Sequence, residues 1–261
     1  MVVGLMGTSK NSSGSTGRSP LVPPHVDAEP GAPLPERPEG GLRNFRLSLN
    51  GFARTGDSTL RDRALGRYAR GAVGGSSVGY RRFGAVASSG SAAIGALSDL
   101  AAGGTGESAS GRDLSNAIGA PIETAAQIIA EAVAPDNAEG DEIRLLIQDA
   151  ICEALQGHDT LERNLITEDF LDNVLFEYTV EAIMHDIWAR EGSPSLNAAP
   201  TPEALQAREN DMREAVKATV DSRLAAVAQG RSLVVMSGDE RRQFQLDCIR
   251  AVLEVWEDLP E

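Results

Sequence analysis

A glycine near the start of the chain could carry chemistry through its backbone amine. Gly7 follows Met6, and removal of a methionine is expected before so small a residue. Gly7 is then the N-terminus of the mature protein, provided that Met6 is the true start or that residues 1–6 are removed by processing. An α-amine has a pKa of about 8, which leaves a usable nucleophilic fraction at neutral pH. Glycine also has no side chain, so such a terminus can enter a narrow active site.

The residues that follow Gly7 are typical of a tail rather than of a folded core. Thr8 and Ser9 begin a run rich in Ser, Gly and Thr, and further on stands the segment Pro20-Leu21-Val22-Pro23-Pro24. Turn-forming residues and paired prolines oppose helix and sheet, so we expect residues 1–40 to be disordered or polyproline-like. One interpretation is a solubilising arm. The apolar Pro20–Pro24 segment favours another, in which a partner protein holds the tail.

Arginines form a second group of residues with chemical potential. Nine arginines and only two acids, Asp57 and Asp62, lie between Arg43 and Arg82. The guanidinium group suits bidentate contacts with phosphate and carboxylate, so two interpretations stay open. The cluster binds nucleic acid, or it docks an acidic protein surface, which includes this protein's own second half. The candidate basic surface consists of Arg54, Arg61, Arg63, Arg67, Arg70, Arg81 and Arg82.

The remaining residue types form no catalytic or metal-binding pattern. None of the three histidines has a cysteine or a second histidine at ligand spacing. Cys152 and Cys248 fall within apolar helical patterns, where buried reduced thiols are expected. The sequence has no phosphate-binding loop, catalytic triad or nucleophile elbow. We therefore predict no catalytic residue, no metal site and no cofactor, and an enzyme is the least favoured class.

Composition and charge predict an all-α protein with two unlike halves. Aromatic residues make up only 4% of the chain, which favours helices packed through small residues. The longest apolar runs have four or five residues, so we expect no membrane span and a cytoplasmic location. Residues 1–112 hold 13 Lys and Arg against 8 Asp and Glu, whereas residues 113–261 hold 11 against 30. Net charges of +5 and −19 suggest that the halves face different partners or each other.

Apolar positions that recur every three or four residues predict about eight helices in a multi-helix bundle. Leu42, Phe45, Leu49 and Phe52 mark the first helix, and Asp57-Ser58 caps the second. Gly84, Gly90 and Gly95 interrupt the third and could permit close approach of another helix. The later helices are predicted to begin near Ser76, Pro121, Asp141, Thr167, Thr201 and Asp239. We predict a tail over residues 1–40, an Arg-rich helical module over 41–104 and an acidic helical bundle over 112–261.

The stretch from Met6 to Pro24 resembles the N-terminus of the QatB family, small non-enzymatic proteins of the bacterial four-component Qat anti-phage system. That family opens with Met-Gly-Thr-Ser, a Gly/Ser-rich spacer and Ser-Pro-Leu-Val-Pro, which Met6 to Ser9 and Ser19 to Pro23 match. His25 departs from the pattern, because an aromatic residue such as Trp is expected there. The likeness continues more weakly in Phe52 to Asp57, in Gly74-Gly75-Ser76 with Arg81-Arg82, and in the acidic stretch Thr167 to Trp188.

The resemblance implies an accessory protein with partners from the same system: an ATPase (QatA), an enzyme similar to the deazaguanine synthase QueC (QatC) and a TatD-like nuclease (QatD). It implies that the tail enters the QueC-like enzyme and is held there by Pro20 to Pro24. Gly7 would then be a substrate for ATP-driven conjugation to a deazapurine. The alternative is a nucleic-acid-binding adaptor that acts through the Arg43–Arg82 module. No membrane partner is expected.

Overall fold

Helices account for the regular structure of this chain. The structure is a computed structural model that describes residues 38–106, 111–191 and 198–261. Within those ranges there are eight α-helices of ten or more residues and no strand, which confirms the all-α prediction. A single β-bridge there pairs Pro121 with Thr160. In the same ranges, no helix combines the length and the apolar character needed to cross a membrane.

The α-helices follow the predicted order along the chain. They are α1 Gly41–Thr55, α2 Ser58–Arg67, α3 Ser76–Gly79, α4 Gly84–Ala101, α5 Ile122–Val133, α6 Ala138–Ala154, α7 Glu168–Glu191, α8 Pro202–Ala228 and α9 Gly238–Glu257. A π-helical turn, Tyr68–Ala72, extends α2, and a 3₁₀ turn, Tyr80–Phe83, joins α3 to α4. Two further 3₁₀ turns, Ser115–Ala117 and Arg163–Leu165, lie between helices.

Side-chain caps define several helix starts. The Asp57 carboxylate accepts the Thr59 backbone N–H at 2.8 Å at the start of α2, as predicted. Pro121 is the N-cap of α5 rather than its first helical residue. Asn137 caps α6, which therefore begins at Ala138, three residues before the predicted Asp141. Ser237 caps α9 through a capping box, so that helix also begins slightly earlier than Asp239.

Both predicted helical regions contribute to a continuous core. Phe45 and Phe52 on α1 are buried, and so is Trp256 near the end of α9. The rings of Trp256 and Tyr68 meet edge to face with centroids 6.1 Å apart. Helix α9 packs against α3, α4 and α8. Residues 41–104 and 112–261 therefore share apolar contacts, and their division into two modules stays a prediction.

Candidate functional site

The structure describes the point where the tail joins the helical body. The tail residues with predicted roles lie outside the described residues: Gly7, Thr8, Ser9, Pro20, Leu21, Val22, Pro23 and Pro24. At the junction, Gly40 has a φ of +73°, in the left-handed region that favours glycine. Gly41 begins α1, and its backbone N–H donates to the carbonyl of Pro38 at 3.0 Å.

Gly41 is buried against Gly71 of the π-helical turn. A Cβ at position 41 would lie 2.7 Å from the Cα of Gly71, and a Cβ at position 71 would lie 2.8 Å from the Cα of Gly41. Because the two backbones touch, any side chain at either position would separate the two segments. The tail is therefore attached to the body at a closely packed backbone crossing.

Arg61 is engaged with acidic residues, one of them far away in the sequence. Its Nη1 donates to Asp211 Oδ1 at 2.7 Å, and its Nε and Nη2 donate to Asp62 Oδ1 at 3.0 and 2.8 Å. Burial by itself lowers the pKa of Arg61, but the hydrogen bonds and charges of Asp62 and Asp211 outweigh it and raise that pKa. Arg61 thereby connects α2 to α8.

Two arginines hold the segment in which α9 ends. Arg70 Nη1 donates to the carbonyl of Glu257 and, at 2.9 Å, to that of Leu259. Arg63 Nη2 donates to the main-chain oxygen of Glu261 at 3.1 Å. Glu257 is the last residue of α9, so its carbonyl has no partner within the helix and carries a partial negative charge that the Arg70 guanidinium stabilises. Arg63 and Arg70 thus connect α2 and the π-helical turn to the C-terminal end of α9 and the residues that follow it.

The same end of α9 supplies a carboxylate to the start of α3. Glu257 accepts the backbone N–H of Ser76 at 2.7 Å and the hydroxyl of Ser76 at 2.5 Å. Ser76 follows Gly74 and Gly75, which both have φ above +90°. Negative charge at a helix N-terminus is favourable, so Glu257 stabilises the beginning of the helical stretch that runs into α4.

Two more candidate arginines connect segments that are close together in the sequence. Arg67 Nη1 donates to the carbonyl of Asn44 at 3.2 Å and to the hydroxyl of Ser48 at 2.8 Å, so it bridges α2 and α1. Arg82 Nε donates to the carbonyl of Val73 at 3.0 Å and holds the turn that precedes α3. The bonds to Ser48 and Val73 are partly buried, where loss of a hydrogen-bond partner would be costly.

The seven candidate arginines differ in their exposure and in their contacts. Arg81 is buried, and Arg54 is exposed near the end of α1. The other five donate to acids, hydroxyls or carbonyls of this chain, three of them to residues of its second half. Contacts with the protein's own second half were one of the two interpretations that the sequence left open.

Tyr68 lies where α2, α7 and α9 meet, a contact that no sequence pattern predicted. Its hydroxyl donates to Asp186 Oδ2 at 2.5 Å, and its ring lies 5.7 Å from that of Phe45. Tyr68 also opens the π-helical turn, in which one extra residue widens the helix. The same turn contains Gly71, which packs against Gly41.

The two cysteine thiols are not activated in this fold. Burial raises the pKa of the Cys248 thiol to about 12. Burial, with the negative charges of Glu123 and Asp149, also raises the pKa of Cys152. A catalytic cysteine has a lowered thiol pKa, and the pKa of each of these two thiols is raised instead. Across the three described ranges, no group of three His, Cys, Asp or Glu residues is placed to hold a metal ion.

Comparison with known proteins places the body of the chain in a family. A family model described as the Qat anti-phage system associated protein QatB matches residues 74–256, which run from the turn before α3 almost to the end of α9. No curated protein and no solved structure matches the chain. The match begins beyond the tail and beyond α1 and α2, so it is independent of the Met6–Pro24 motif. Because it covers more than half of the chain, this protein belongs to the QatB family of Qat anti-phage system associated proteins.

Proposed function

We propose that this accessory protein of an anti-phage defence system works by offering its N-terminal tail, from Gly7 onward, to a QueC-like partner enzyme. The observation that carries the proposal is the family match over residues 74–256, which supports membership of the Qat system. The motif Met6 to Ser9 and the Pro20–Pro24 segment support the tail as the part that is offered. The body then acts as the carrier of the tail.

The length and attachment of the tail suit this role. About 33 residues separate Gly7 from Gly40, and a chain of that length spans at most about 115 Å. The root of the tail is fixed by the packing of Gly41 against Gly71. Proline-rich segments are recognised at a low cost in conformational entropy, so Pro20 to Pro24 give the partner a place to hold the tail. A terminus offered in this way enters the enzyme while the body stays outside.

The reactive group in this proposal is the amine of Gly7. A neutral amine is a nucleophile that forms a C–N bond with a carbonyl carbon activated by ATP. The nitrogen loses a proton in that step, and the activating phosphate-containing group leaves. A terminal glycine brings no side chain into the site, so the amine can approach the activated carbon closely. Conjugation to a deazapurine would attach the base to the tail.

Mass spectrometry of the chain co-expressed with the QueC-like enzyme tests the proposal. We expect a chain that begins at Gly7 and carries added mass on its amine. In the matched variant Gly7→Leu, the bulky residue should prevent removal of Met6, and the added mass should be absent while the protein stays folded. An N-terminal fusion should abolish defence, and a C-terminal tag should not. Full activity with an intact Met1 start or an N-terminal fusion would contradict the proposal.

A further inference from the structure

One side of α1 displays cationic residues around an exposed leucine. Spacings of three, four, seven and eight residues place its members on the same side of the helix. This outer face of α1 consists of Arg43, Arg46, Leu47, Asn50 and Arg54. Leu47 is 58% exposed. Helix α1 contains no acidic residue, so every charged residue that it contributes to this face is an arginine.

Leu47 does not belong to the apolar stripe that folds α1. That stripe, Phe45, Leu49 and Phe52, is buried on the opposite side of the helix. A lone exposed leucine is ordinary on a protein surface, but here arginines surround it on a protein whose net charge is −14. The arginines from Arg61 to Arg82 are buried or partly buried, whereas Arg43, Arg46 and Arg54 are exposed. The outer face of α1 is thus the part of the Arg-rich segment that is directed outward.

This face begins where the tail ends. Gly41 is the first residue of α1, and Arg43 follows two residues later. About 16 residues separate Pro24 from Gly40, and they span at most about 55 Å. A partner that holds Pro20 to Pro24 is therefore tethered close to the outer face of α1. Such tethering raises the effective concentration of any second contact.

We propose that the outer face of α1 is a second docking site for the enzyme that takes the tail, and that it fits an acidic surface with an apolar recess for Leu47. This inference rests on the proposed function. An apolar centre with a charged rim is the usual anatomy of a protein–protein interface. Nucleic acid would require the charges but not the leucine, and it would be repelled by the acidic body.

Binding of the full chain to the purified QueC-like enzyme tests the site, measured at about 50 mM and about 300 mM NaCl. The double variant Arg43→Glu, Arg54→Glu should bind about tenfold more weakly at low salt and differ much less at high salt, because salt screens rim charges. Leu47→Ser should weaken binding at both salt concentrations. The control Arg250→Glu changes an exposed arginine that pairs with Glu254 on α9, and it should leave the Kd unchanged. All variants should melt like the parent, because the buried side of α1 is intact.

A synthetic peptide of residues 7–40 separates the two proposals. If the tail proposal and the α1 site are both correct, the peptide binds the enzyme and the full chain binds it more tightly. The α1 variants of the full chain should then bind with the affinity of the peptide. Equal affinity of peptide and full chain would overturn the α1 site and leave the tail proposal standing. Undiminished binding by residues 38–261 alone would contradict the proposed function. If the α1 variants lose binding to single-stranded or duplex DNA but bind the enzyme as tightly as the parent does, the inference is overturned in favour of nucleic acid.

Discussion

The ring of Tyr178 lies directly against Gly90, where α7 crosses α4. A Cβ at position 90 would stand 2.6 Å from Cε1 of Tyr178 and 2.5 Å from Oε1 of Gln245, which belongs to α9. The Tyr178 hydroxyl donates to the carbonyl of Val86 at 3.0 Å, so the ring cannot easily move aside. The glycine that weakens α4 as a helix is therefore what allows three helices to pack together, as its position in the sequence suggested.

We expect Gly90→Ala to destabilise the protein by about 1–3 kcal/mol, because overpacking outweighs the gain of about 1 kcal/mol in helix propensity. Urea unfolding followed by circular dichroism measures this change. Gly238→Ala is the matched control, because the nearest atom to its added Cβ would be Ser91 Oγ at 3.7 Å, an ordinary contact. Equal stability of the two variants would mean that α4 and α7 can separate freely.

Removal of the Glu257 carboxylate should destabilise the protein by about 1–3 kcal/mol, because the buried backbone N–H of Ser76 loses its charged acceptor. The variant is Glu257→Ala. In the control Glu254→Ala, an exposed pair with Arg250 is lost, and a cost of at most about 0.5 kcal/mol is expected. A double-mutant cycle with Ser76→Ala should give a coupling energy well above zero. Additive effects in that cycle would contradict the cap.

Deletion of residues 1–37 should leave the melting temperature unchanged, since the buried apolar residues of the described structure begin with Phe45. The shortened chain keeps Pro38 and its bond to Gly41. A longer deletion, of residues 1–47, also removes Phe45 and the crossing of Gly41 with Gly71, so it should melt at a clearly lower temperature. Thermal melting by circular dichroism compares the two. Equal melting curves would show that the crossing does not stabilise the body.

The two cysteines should differ in their reaction with iodoacetamide at about pH 8. Half-buried Cys152 should react slowly, and Cys248 should react only after denaturation, because the thiolate is the reactive form and burial suppresses it. The folded pKa of Cys248 lies above its unfolded value of about 8.5. Its contribution to stability is therefore complete below that pH and decreases as the pH rises towards 12. Rapid labelling of Cys248 in the native protein would contradict its burial.

Local signals explain why the helices could be predicted. The beginning of α7 after Thr167 follows from a side-chain cap, and the Thr167 hydroxyl accepts the backbone N–H of Phe170 at 3.2 Å. The π-helical turn at Tyr68 could not be predicted, because its stability depends on Phe45, Trp256 and Asp186 rather than on its own sequence. The start of α6 was misplaced because Asn137 and Asp141 are both good N-terminal residues.

The roles of the arginines could not be predicted from their spacing. Arg61 pairs with Asp211, 150 residues further along the chain, and Arg70 binds carbonyls that are almost 190 residues away. Reversal of Arg61, Arg67 or Arg70 would therefore disturb the fold as well as any binding. The exposure of Leu47 could have been predicted, because its position on the helix does not fit the buried apolar stripe that contains Phe45 and Leu49. An apolar residue on the polar side of a helix is visible in the sequence alone.

The position of α9 also has a consequence for synthesis on the ribosome. Trp256, 1% exposed, closes the core against Tyr68, and Glu257 caps α3, yet both are translated after every other described helix. The tail emerges first, and the body cannot complete its packing until α9 follows. A prematurely terminated chain would carry the tail on an open body, which cellular proteases degrade readily. Tails that persist in the cell should therefore belong to chains whose translation has passed residue 257.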